Sequence, residues 1–470
     1  MRHSPLLLLL VTAACTAGPD YAGPGGDSPA PPPAFVRAGG DGATQPTVGP
    51  WWADLNDPVL DRLVTRALAG NPDLDAATAR IRQARSSLNE RRAVGLPAIN
   101  SSALFAKARL PGQGSDGGAT DLTLYNLGFD SSWELDLFGG QHRAVEAARA
   151  DVEARDASLA DARVSLSAEV AQTYVDLRER QQQLALGEAG LALDEQRITL
   201  AQQRFEQGTV ARDLLLRAEQ DRDEARAMLA PMRAEVDAHK DKLAMLTGAV
   251  PGSLDAELDS IAPVPLPPAQ VAIGDPATLL QRRPDIRAAE RTLAAQTARI
   301  GMAKAARFPR ISFLGLFGLG GSSPGDLVDF DRVTLAAAPR LSWTLFDFGR
   351  NRARVEGAEA QRDEAAANYR AAVLRALQDA EGALSRFARS RESLADRARA
   401  EQQARETAEL ARQRQAAGTI ALGDYLSARQ AAITATRTRQ QAAAATTSAF
   451  IAVEKALGLG WQADAVPSAK

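Results

Sequence analysis

The chain has 470 residues, of which 45% are hydrophobic and 24% charged, and its formal net charge is only −3. Acidic and basic residues are spread along the sequence, so no basic surface indicates nucleic-acid binding. The whole sequence contains three histidines, which leaves a histidine-based catalytic centre or a metal site short of ligands. We therefore expect no enzyme activity, no metal and no cofactor.

The N-terminus has the pattern of an export signal. A short apolar run from Leu6 to Val11 is followed by small residues and then by Cys15, the single cysteine. The run is too short to cross a bilayer as a helix, so residues 1–14 are predicted to be a signal peptide. One interpretation is an ordinary signal peptide with an incidental cysteine. The other is a resemblance to bacterial lipoproteins, which implies lipidation of Cys15, although Thr12 stands where the lipoprotein signal usually has leucine.

Residues 15–56 are rich in glycine, proline and alanine and are predicted to form an extended, lipid-anchored tether. Helical periodicity begins after Asp57-Pro58, and Asn71-Pro72-Asp73 marks a break between two helices, because the residue before proline avoids the helical conformation. Gly95 and Pro97 end the second helix.

Residues 98–138 change to a period of two and are predicted to form a β-hairpin. From Leu127 onward the odd positions are mostly apolar, and the even positions are polar or acidic. In the preceding strand we expect Leu104, Ala106 and Ala108 on one face, with Lys107 and Arg109 on the other. A soluble β-sandwich gives the same alternation, so this pattern alone does not decide between a sandwich and a membrane strand.

Residues 139–207 contain no proline, and their apolar residues recur in a heptad repeat, which is typical of a coiled coil. A helix of this length would reach about 100 Å at 1.5 Å per residue, far more than a compact domain needs. The helix is expected to turn at Gly208-Thr209 and to return over residues 211–247. Pro231 should kink the returning helix or locally interrupt its hydrogen bonds.

The same unit then occurs a second time. Moving the sequence by 210 positions places Trp133 on Trp343 and Gly208 on Gly418, and a shift of 212 places Pro97 on Pro309. Repeat 1 spans 57–248 and repeat 2 spans 275–459, with a proline-rich crossing segment (249–274) between them and a C-terminal tail (460–470). The elements of repeat 2 are a hairpin (310–347), a long helix (349–417) and a return helix (421–458).

Four strands per chain cannot close into a barrel, because even small outer-membrane barrels need about eight strands. Several chains must therefore combine, and three chains would supply twelve strands. We expect the apolar strand faces to meet lipid and the polar faces to line a wet lumen.

The motifs together resemble the TolC-like family of outer-membrane efflux lipoproteins. The resemblance rests on Cys15 with Pro19-Asp20-Tyr21, on Trp51-Trp52, on residues 280–290 (LQRRPDIRAAE) and on residues 343–350, which include FDFGR. It implies a mainly α-helical homotrimer with one twelve-stranded membrane β-barrel and a long α-helical coiled-coil barrel in the periplasm. It also implies an outer-membrane location and a role in multidrug efflux as the exit duct for a periplasmic adaptor protein and an inner-membrane pump.

Such a duct conducts passively, and we find no glycine-rich phosphate-binding loop with its lysine. The turns at the ends of the long helices are expected to contact the adaptor: Gly208, Thr209, Val210, Gly418, Thr419 and Ile420. The resemblance implies a periplasmic gate, for which the candidates are Arg212, Asp213, Asp424 and Tyr425. Six charged residues are expected to face the barrel lumen: Lys107, Arg109, Asp130, Glu134, Asp136 and Arg340. Trp133 and Trp343 should lie at a bilayer interface.

Three alternatives stay open at this point. A lipid-anchored coiled-coil spacer without a pore would use the same long helices. A duct for type I protein secretion would share the architecture but carry different cargo. An envelope enzyme would need a catalytic constellation, and the sequence offers none that we recognise.

Overall fold

The computed structural model describes residues 16–25, 29–37, 49–110 and 120–461. The predicted signal peptide (1–14), the predicted lipidation site Cys15 and all but the first two residues of the predicted tail (460–470) lie outside these residues. Among the described helices, none is both long enough and apolar enough to cross a lipid bilayer.

The described residues are mainly helical, with one four-stranded sheet. The helices are α1 (Pro58–Gly70), α2 (Pro72–Val94), α3 (Gly140–Glu206), α4 (Arg212–Leu246), α5 (Asp255–Leu258), α6 (Pro276–Arg282), α7 (Pro284–Ala305), α8 (Arg350–Ala416) and α9 (Leu422–Ala456). The strands are β1 (Ala98–Leu110), β2 (Thr120–Leu135), β3 (Arg310–Gly321) and β4 (Val333–Ser342). Short 3₁₀ helices cover Trp51–Leu55, Pro324–Val328 and Phe330–Arg332.

The internal repeat is present in the structure down to single residues. Helices α3 and α8 have 67 residues each, α4 and α9 have 35 each, and the bounds of both pairs differ by the same shift of 210. The sheet order is β1-β2-β3-β4, with every neighbouring pair antiparallel. Ala98 lies opposite Ser132, and Arg310 lies opposite Ser342, which is the same register displaced by 212 and 210 positions.

One strand expectation differs from the structure, whereas Pro231 lies within the bounds of α4 as expected from the sequence. Strand β4 ends at Ser342, although the alternation of the sequence continues to Phe346. The physical reason for the earlier end is that β4 has only β3 as a neighbour in the chain, and β3 begins at Arg310, the residue opposite Ser342. No ladder partner is left for the residues that follow.

The described chain divides into two compact units. Unit 1 comprises residues 16–25, 79–110, 120–156 and 288–371, and it contains the sheet. Unit 2 comprises residues 29–37, 49–78, 157–287 and 372–461, and it contains most of the buried aromatic side chains.

An N-terminal strap, residues 16–21, is fastened to unit 1. Ala17 donates its backbone N–H to the carbonyl of Phe138 at 2.9 Å. The Arg143 side chain is only 4% exposed, and it donates to the Asp20 carboxylate at 2.5 Å and to Glu146 at 2.7 Å. Because a buried guanidinium needs several acceptors, these contacts fix the strap against the start of α3.

Tyr21 completes the strap. Its hydroxyl donates to Glu290 on α7 at 3.1 Å, and its ring packs against buried alanines of α3, α7 and α8. Burial and the neighbouring carboxylate together raise the pKa of Tyr21, so the hydroxyl stays protonated and remains a donor. The Pro-Asp-Tyr motif in the tether therefore has a structural role.

The core of unit 2 is built around two adjacent tryptophans. The rings of Trp51 and Trp52 meet edge to face at 5.7 Å, and Trp51 meets Phe450 of α9 at 6.0 Å. Both tryptophans are buried, and Asp61 accepts the indole N–H of Trp52 at 3.0 Å. Each edge-to-face aromatic pair stabilises the fold by about 0.5–1.5 kcal/mol beyond the stabilisation that comes from burying its apolar area.

The crossing segment is held by side chains of the long helix α3. Arg178 is 1% exposed and donates to the carbonyl of Ser260 at 2.6 Å, and Gln181 donates to the carbonyl of Leu258 at 2.6 Å. From α9, Thr447 donates to the carbonyl of Pro265, also at 2.6 Å. A proline-rich segment cannot build its own hydrogen-bond ladder, so polar side chains of its neighbours satisfy its carbonyl groups.

Corresponding side chains of the two repeats fasten the ends of the return helices. Asn71 donates to the carbonyl of Leu246 at the end of α4, and Arg283 donates to the carbonyl of Ala456 at the end of α9, at 2.9 and 3.0 Å. Arg283 also forms a paired contact with Asp285, which explains the Arg-Pro-Asp motif of repeat 2. These contacts satisfy carbonyl groups that helix ends leave unpaired.

Glu454 is a buried acid in α9 of unit 2. It is 5% exposed, and burial, with a smaller effect from Asp54, raises the pKa of Glu454 to about 8. In the unfolded chain the Glu454 carboxyl would lose its proton near the ordinary pKa of 4.5, whereas in the folded chain it keeps this proton up to a pH of about 8. Folding therefore becomes less favourable as the pH rises from 4.5 to about 8.

We expect Glu454→Gln to remove this pH dependence. The melting temperature of the wild type should fall relative to that of the variant between pH 5 and pH about 8, and the difference should level off above that range. Differential scanning fluorimetry in detergent measures both proteins across this range. The control is Glu364→Gln, an exposed site on α8. Parallel pH curves for wild type and Glu454→Gln would contradict the assignment.

Candidate functional site

The turns between the long and return helices have the same geometry in both repeats. Gly208 and Gly418 have φ values of +68° and +72°, a left-handed conformation that glycine adopts without strain. Thr209 and Thr419 each donate a backbone N–H to a carbonyl five residues earlier, on Arg204 and Arg414, at 2.9 Å. This is the pattern of a glycine-ended helix, so capping accounts for the two glycines and the two threonines.

The next residue of each turn is apolar and partly covered. Val210 and Ile420 are intermediate in exposure, whereas the glycines and threonines before them are exposed. The two turns therefore expose backbone and small polar groups to solvent, and the apolar side chain that follows in each turn, Val210 or Ile420, is partly buried.

Asp424 and Tyr425 lie in the first turn of α9. The carboxylate of Asp424 accepts the backbone N–H of Ala421 at 3.3 Å, and Asp424 is exposed. Tyr425 is half-buried and packs against a cluster of Leu193, Leu426 and Ile433 that joins α3 to α9. The aromatic side chain is thus anchored, and the carboxylate next to it remains accessible.

Arg212 and Asp213 occupy the corresponding turn of α4, and both are exposed. Asp213 forms an ion pair with Arg217, one helical turn later, at 3.7 Å. An exposed pair of this kind contributes at most about 1 kcal/mol, so it can be broken at little cost. The gate candidates therefore lie on two different helices, and each makes local contacts of its own.

The sequence analysis missed an ion pair on α3 between the buried Asp194 and the half-buried Arg197. Asp194 of α3 is 9% exposed and accepts from Arg197 at 3.3 Å, and Arg197 also reaches the carbonyl of Leu426 on α9 at 3.5 Å. Burial raises the pKa of Asp194, and Arg197 opposes that shift. The available signal was an acid and a base three residues apart within the heptad stretch.

The sheet of unit 1 has one apolar face, formed by the odd-numbered residues. Directly opposed residues share a face, and the register pairs Phe129 with Phe317 and Trp133 with Phe313. Large apolar side chains exposed on this face are Ile99, Phe105, Leu127, Phe129, Trp133, Phe313, Phe317, Val333, Leu335 and Leu341.

The even-numbered face is more polar. It carries Asp130, Glu134 and Arg340 of the predicted lumen residues, and Glu134 and Arg340 both lie opposite Ser312 in the ladder. Asn100 donates to the Asp130 carboxylate at 3.3 Å on the same face. The structure therefore brings three of the six predicted lumen charges together.

The prediction that all six charges share one face is wrong for the other three. Lys107 lies opposite Thr123 and Arg109 lies opposite Asp121, so both belong to the odd-numbered face, near the end of the β1–β2 hairpin. The sequence pattern of β1 was assigned to the wrong face because alternation within one strand does not fix its register with the next. Asp136 follows the end of β2, and its carboxylate accepts the backbone N–H of His142 in the first turn of α3 at 2.7 Å. It caps a helix.

The two predicted interface tryptophans make equivalent contacts. Trp133 donates its indole N–H to the carbonyl of Gly95 at 3.0 Å, and Trp343 donates to the carbonyl of Arg307 at 3.1 Å. Each indole therefore ties the end of a strand segment to the end of the preceding helix, while part of the ring stays exposed.

Comparison with known proteins gives matches over most of the chain. A family model described as outer membrane efflux protein matches residues 63–249 and 276–459. Nodulation protein T of Rhizobium leguminosarum bv. trifolii is 30% identical over 435 residues, covering 91% of both chains. Outer membrane protein OprJ of Pseudomonas aeruginosa is 32% identical, covering 81% of this chain and 80% of OprJ. The solved outer-membrane channel OprN has a TM-score of 0.86 at 32% identity, covering 94% of this chain and 99% of OprN.

The geometry of the turns predicts opposite effects for two glycine substitutions. Gly418→Ala should destabilise the helical part by about 1–2 kcal/mol, because an L-residue is strained in the left-handed conformation. Gly357→Ala, within α8 and with open space around its added Cβ, should stabilise it by about 0.5–1 kcal/mol. Urea unfolding followed by circular dichroism at a helical wavelength compares the two. Equal effects from both substitutions would contradict the capping role.

Proposed function

The chain belongs to the outer membrane efflux protein family, and we propose that it is the exit duct of a tripartite efflux system for drugs or other small solutes. The family match and the structural neighbours confirm the predicted resemblance, fold class, efflux function and outer-membrane location. Members of this family are channels, which agrees with the expected absence of enzyme activity.

The observation that carries the proposal is the two-faced sheet of unit 1. Its odd-numbered face exposes large apolar side chains, with Phe105, Phe129 and Phe317 more than 45% exposed, as a lipid-contacting surface requires. Its even-numbered face carries Asp130 and Glu134 together with glycines and serines, although it also exposes Leu104, Leu122, Leu124 and Leu314. The two carboxylates suit a water-filled lumen. Lys107 and Arg109, at the hairpin end of the apolar face, suit the boundary between lipid and water, where long basic side chains extend toward the aqueous phase.

We further propose that three copies assemble into one duct. The four strands of one chain are too few to close a barrel, and the outer edges of β1 and β4 lack a neighbour in the described sheet. A homotrimer supplies twelve strands and leaves no edge. Cys15 would add a lipid anchor in the same membrane, and its modification is part of this proposal.

The adaptor is proposed to dock on the turns that contain Gly208 and Gly418. Their exposed backbone and threonine hydroxyls offer hydrogen-bonding groups, and they occur twice per chain with the same geometry. The inner-membrane pump would supply the energy, because conduction through a lined pore needs no chemistry from the duct.

The gate is proposed to lie just beyond these turns, at Arg212, Asp213, Asp424 and Tyr425. Tyr425 is held by the Leu193–Leu426–Ile433 cluster, which fixes the direction of α9, while Asp424 stays exposed. In a trimer, three symmetric carboxylates would attract cations and repel one another.

Purified protein in a planar bilayer tests the duct. We expect stable conductance steps from the detergent-solubilised trimer, since a water-filled lumen passes ions continuously. A preparation that is trimeric and helical but produces no steps under any voltage would favour a coiled-coil spacer and contradict the duct.

The sheet register also predicts ion selectivity. Arg340→Ser removes a positive charge from the even-numbered face and should raise the permeability for cations relative to anions. Ala337→Ser changes a residue of the same strand on the opposite face and serves as the matched control. Reversal potentials in a salt gradient give the permeability ratio. An unchanged permeability ratio for Arg340→Ser would contradict the assignment of the even-numbered face to the lumen.

A further inference from the structure

A cavity of about 280 Å³ lies within unit 2, where α3, α8 and the end of α9 meet the junction between α6 and α7. Its lining includes three acidic and three basic side chains: Asp161, Arg283, Asp285, Asp379, Arg386 and Lys455. The formal charges of this lining cancel, although the cavity is rich in charge. This balance distinguishes the cavity from a site built for a simple anion or a simple cation.

Arg283 already has its partners within the protein. Its guanidinium donates to both carboxylate oxygens of Asp285, at 3.0 and 2.7 Å, and to the carbonyl of Ala456 at 3.0 Å. The carboxylate of Asp379 approaches the same guanidinium at 3.7 Å. A guanidinium surrounded by this many acceptors has few donors left for a ligand. Arg283, Asp285 and Asp379 therefore form a fixed wall of the cavity.

The other three charged side chains are not committed in this way. Among the described residues, Asp161, Arg386 and Lys455 have no hydrogen bond or ion pair through their side chains. Asp161 is half-buried, and burial, together with the nearby Asp285, raises the pKa of its carboxyl, whereas Arg283 and Lys455 oppose that shift. Arg386 and Lys455 are exposed, on α8 and α9. The cavity thus offers a ligand one half-buried carboxylate and two cationic groups.

We propose that this cavity binds a small zwitterion, either a free amino acid or a short peptide. The ammonium group of the ligand lies beside Asp161, and its carboxylate is held by Arg386 and Lys455, so each charge of the ligand meets an opposite charge. A ligand with charge of only one sign would leave one of these partners unsatisfied. The volume lies at the lower end of ligand pockets, which run from about 300 to 1,000 Å³, so the ligand is small.

The rest of the lining suits a short aliphatic side chain. Val164, Pro284 and Ala456 contribute apolar surface, and Val164 is only 3% exposed. At Gly458 an added Cβ would lie 3.0 Å from the Cγ of Arg283, so glycine at this position leaves the fixed wall undisturbed. A methyl-sized side chain of the ligand can therefore lie on the apolar part of the cavity while its charged ends meet their partners.

Repeat 1 shows that the fold does not require these charges. Asn71 stands where repeat 2 has the arginine of the fixed wall, and it makes the equivalent bond to the end of its return helix, at 2.9 Å, without a charge. The shift of 210 also places Met245 on Lys455 and Ala371 on Asp161. The charged set is therefore confined to repeat 2, as expected if it serves a ligand and not the packing that both repeats share.

Isothermal titration calorimetry of the detergent-solubilised full-length protein tests the site with L-alanyl-L-alanine. We expect N-acetylation or C-terminal amidation of this dipeptide to weaken its binding by about tenfold or more, because each change removes one charge-assisted contact. L-alanine, titrated in parallel, shows whether a single amino acid is sufficient. Equal binding of the dipeptide and both blocked forms would overturn the proposal, and so would the absence of binding by both the dipeptide and L-alanine.

Two substitutions that introduce the residues of repeat 1 assign the roles. Asp161→Ala should bind the dipeptide and its N-acetylated form equally, because the partner of the ammonium group is gone. Lys455→Met should reduce the difference between the dipeptide and its amide. Arg375→Met removes a positive charge from an exposed site of α8 outside the cavity, and this control should bind like wild type.

Circular dichroism verifies that each variant keeps the helix content of wild type. A folded variant that still discriminates between the dipeptide and the relevant blocked form as wild type does would overturn the placement of that charged group. Neither measurement involves conductance, so a failed binding experiment leaves the proposed duct intact, and binding by a protein that does not conduct would still support the site.

Discussion

The backbone of a strand needs hydrogen-bond partners on both edges, and this requirement organises the molecule. The described sheet satisfies the inner edges of its four strands and leaves the outer edges of β1 and β4 open. An open edge is intolerable in lipid, where no water can replace the missing partner. In the proposed duct, further copies of the chain supply the missing partners of these two edges.

The requirement that backbone polar groups find hydrogen-bond partners also applies to the rest of the chain. Arg178 and Gln181 satisfy carbonyl groups of the crossing segment, Asn71 and Arg283 satisfy helix ends, and Arg143 holds the N-terminal strap. They fix elements whose own backbone groups cannot be satisfied locally.

Much of this could be predicted from the sequence because it depends on local patterns. Heptad spacing located the long helices, Gly208 and Gly418 marked their ends, and the shift of 210 revealed the repeat. The predictions that were wrong or missing depend on how one segment packs against another. The alternation of β1 could not say which face it shares with β2, so Lys107 and Arg109 were assigned to the wrong side. Asp136 was read as part of a strand although it caps a helix. The pair Asp194 and Arg197 was missed because burial of a charge is decided by a distant helix.

The fastening of the crossing segment has a consequence for biogenesis. Its carbonyl groups are taken up from α3, which precedes it in the chain, and from Thr447, which lies close to the end of α9. The carbonyl groups of Leu258 and Ser260 can therefore be satisfied as soon as repeat 1 has been made, whereas the carbonyl of Pro265 gains its side-chain donor only once α9 is present.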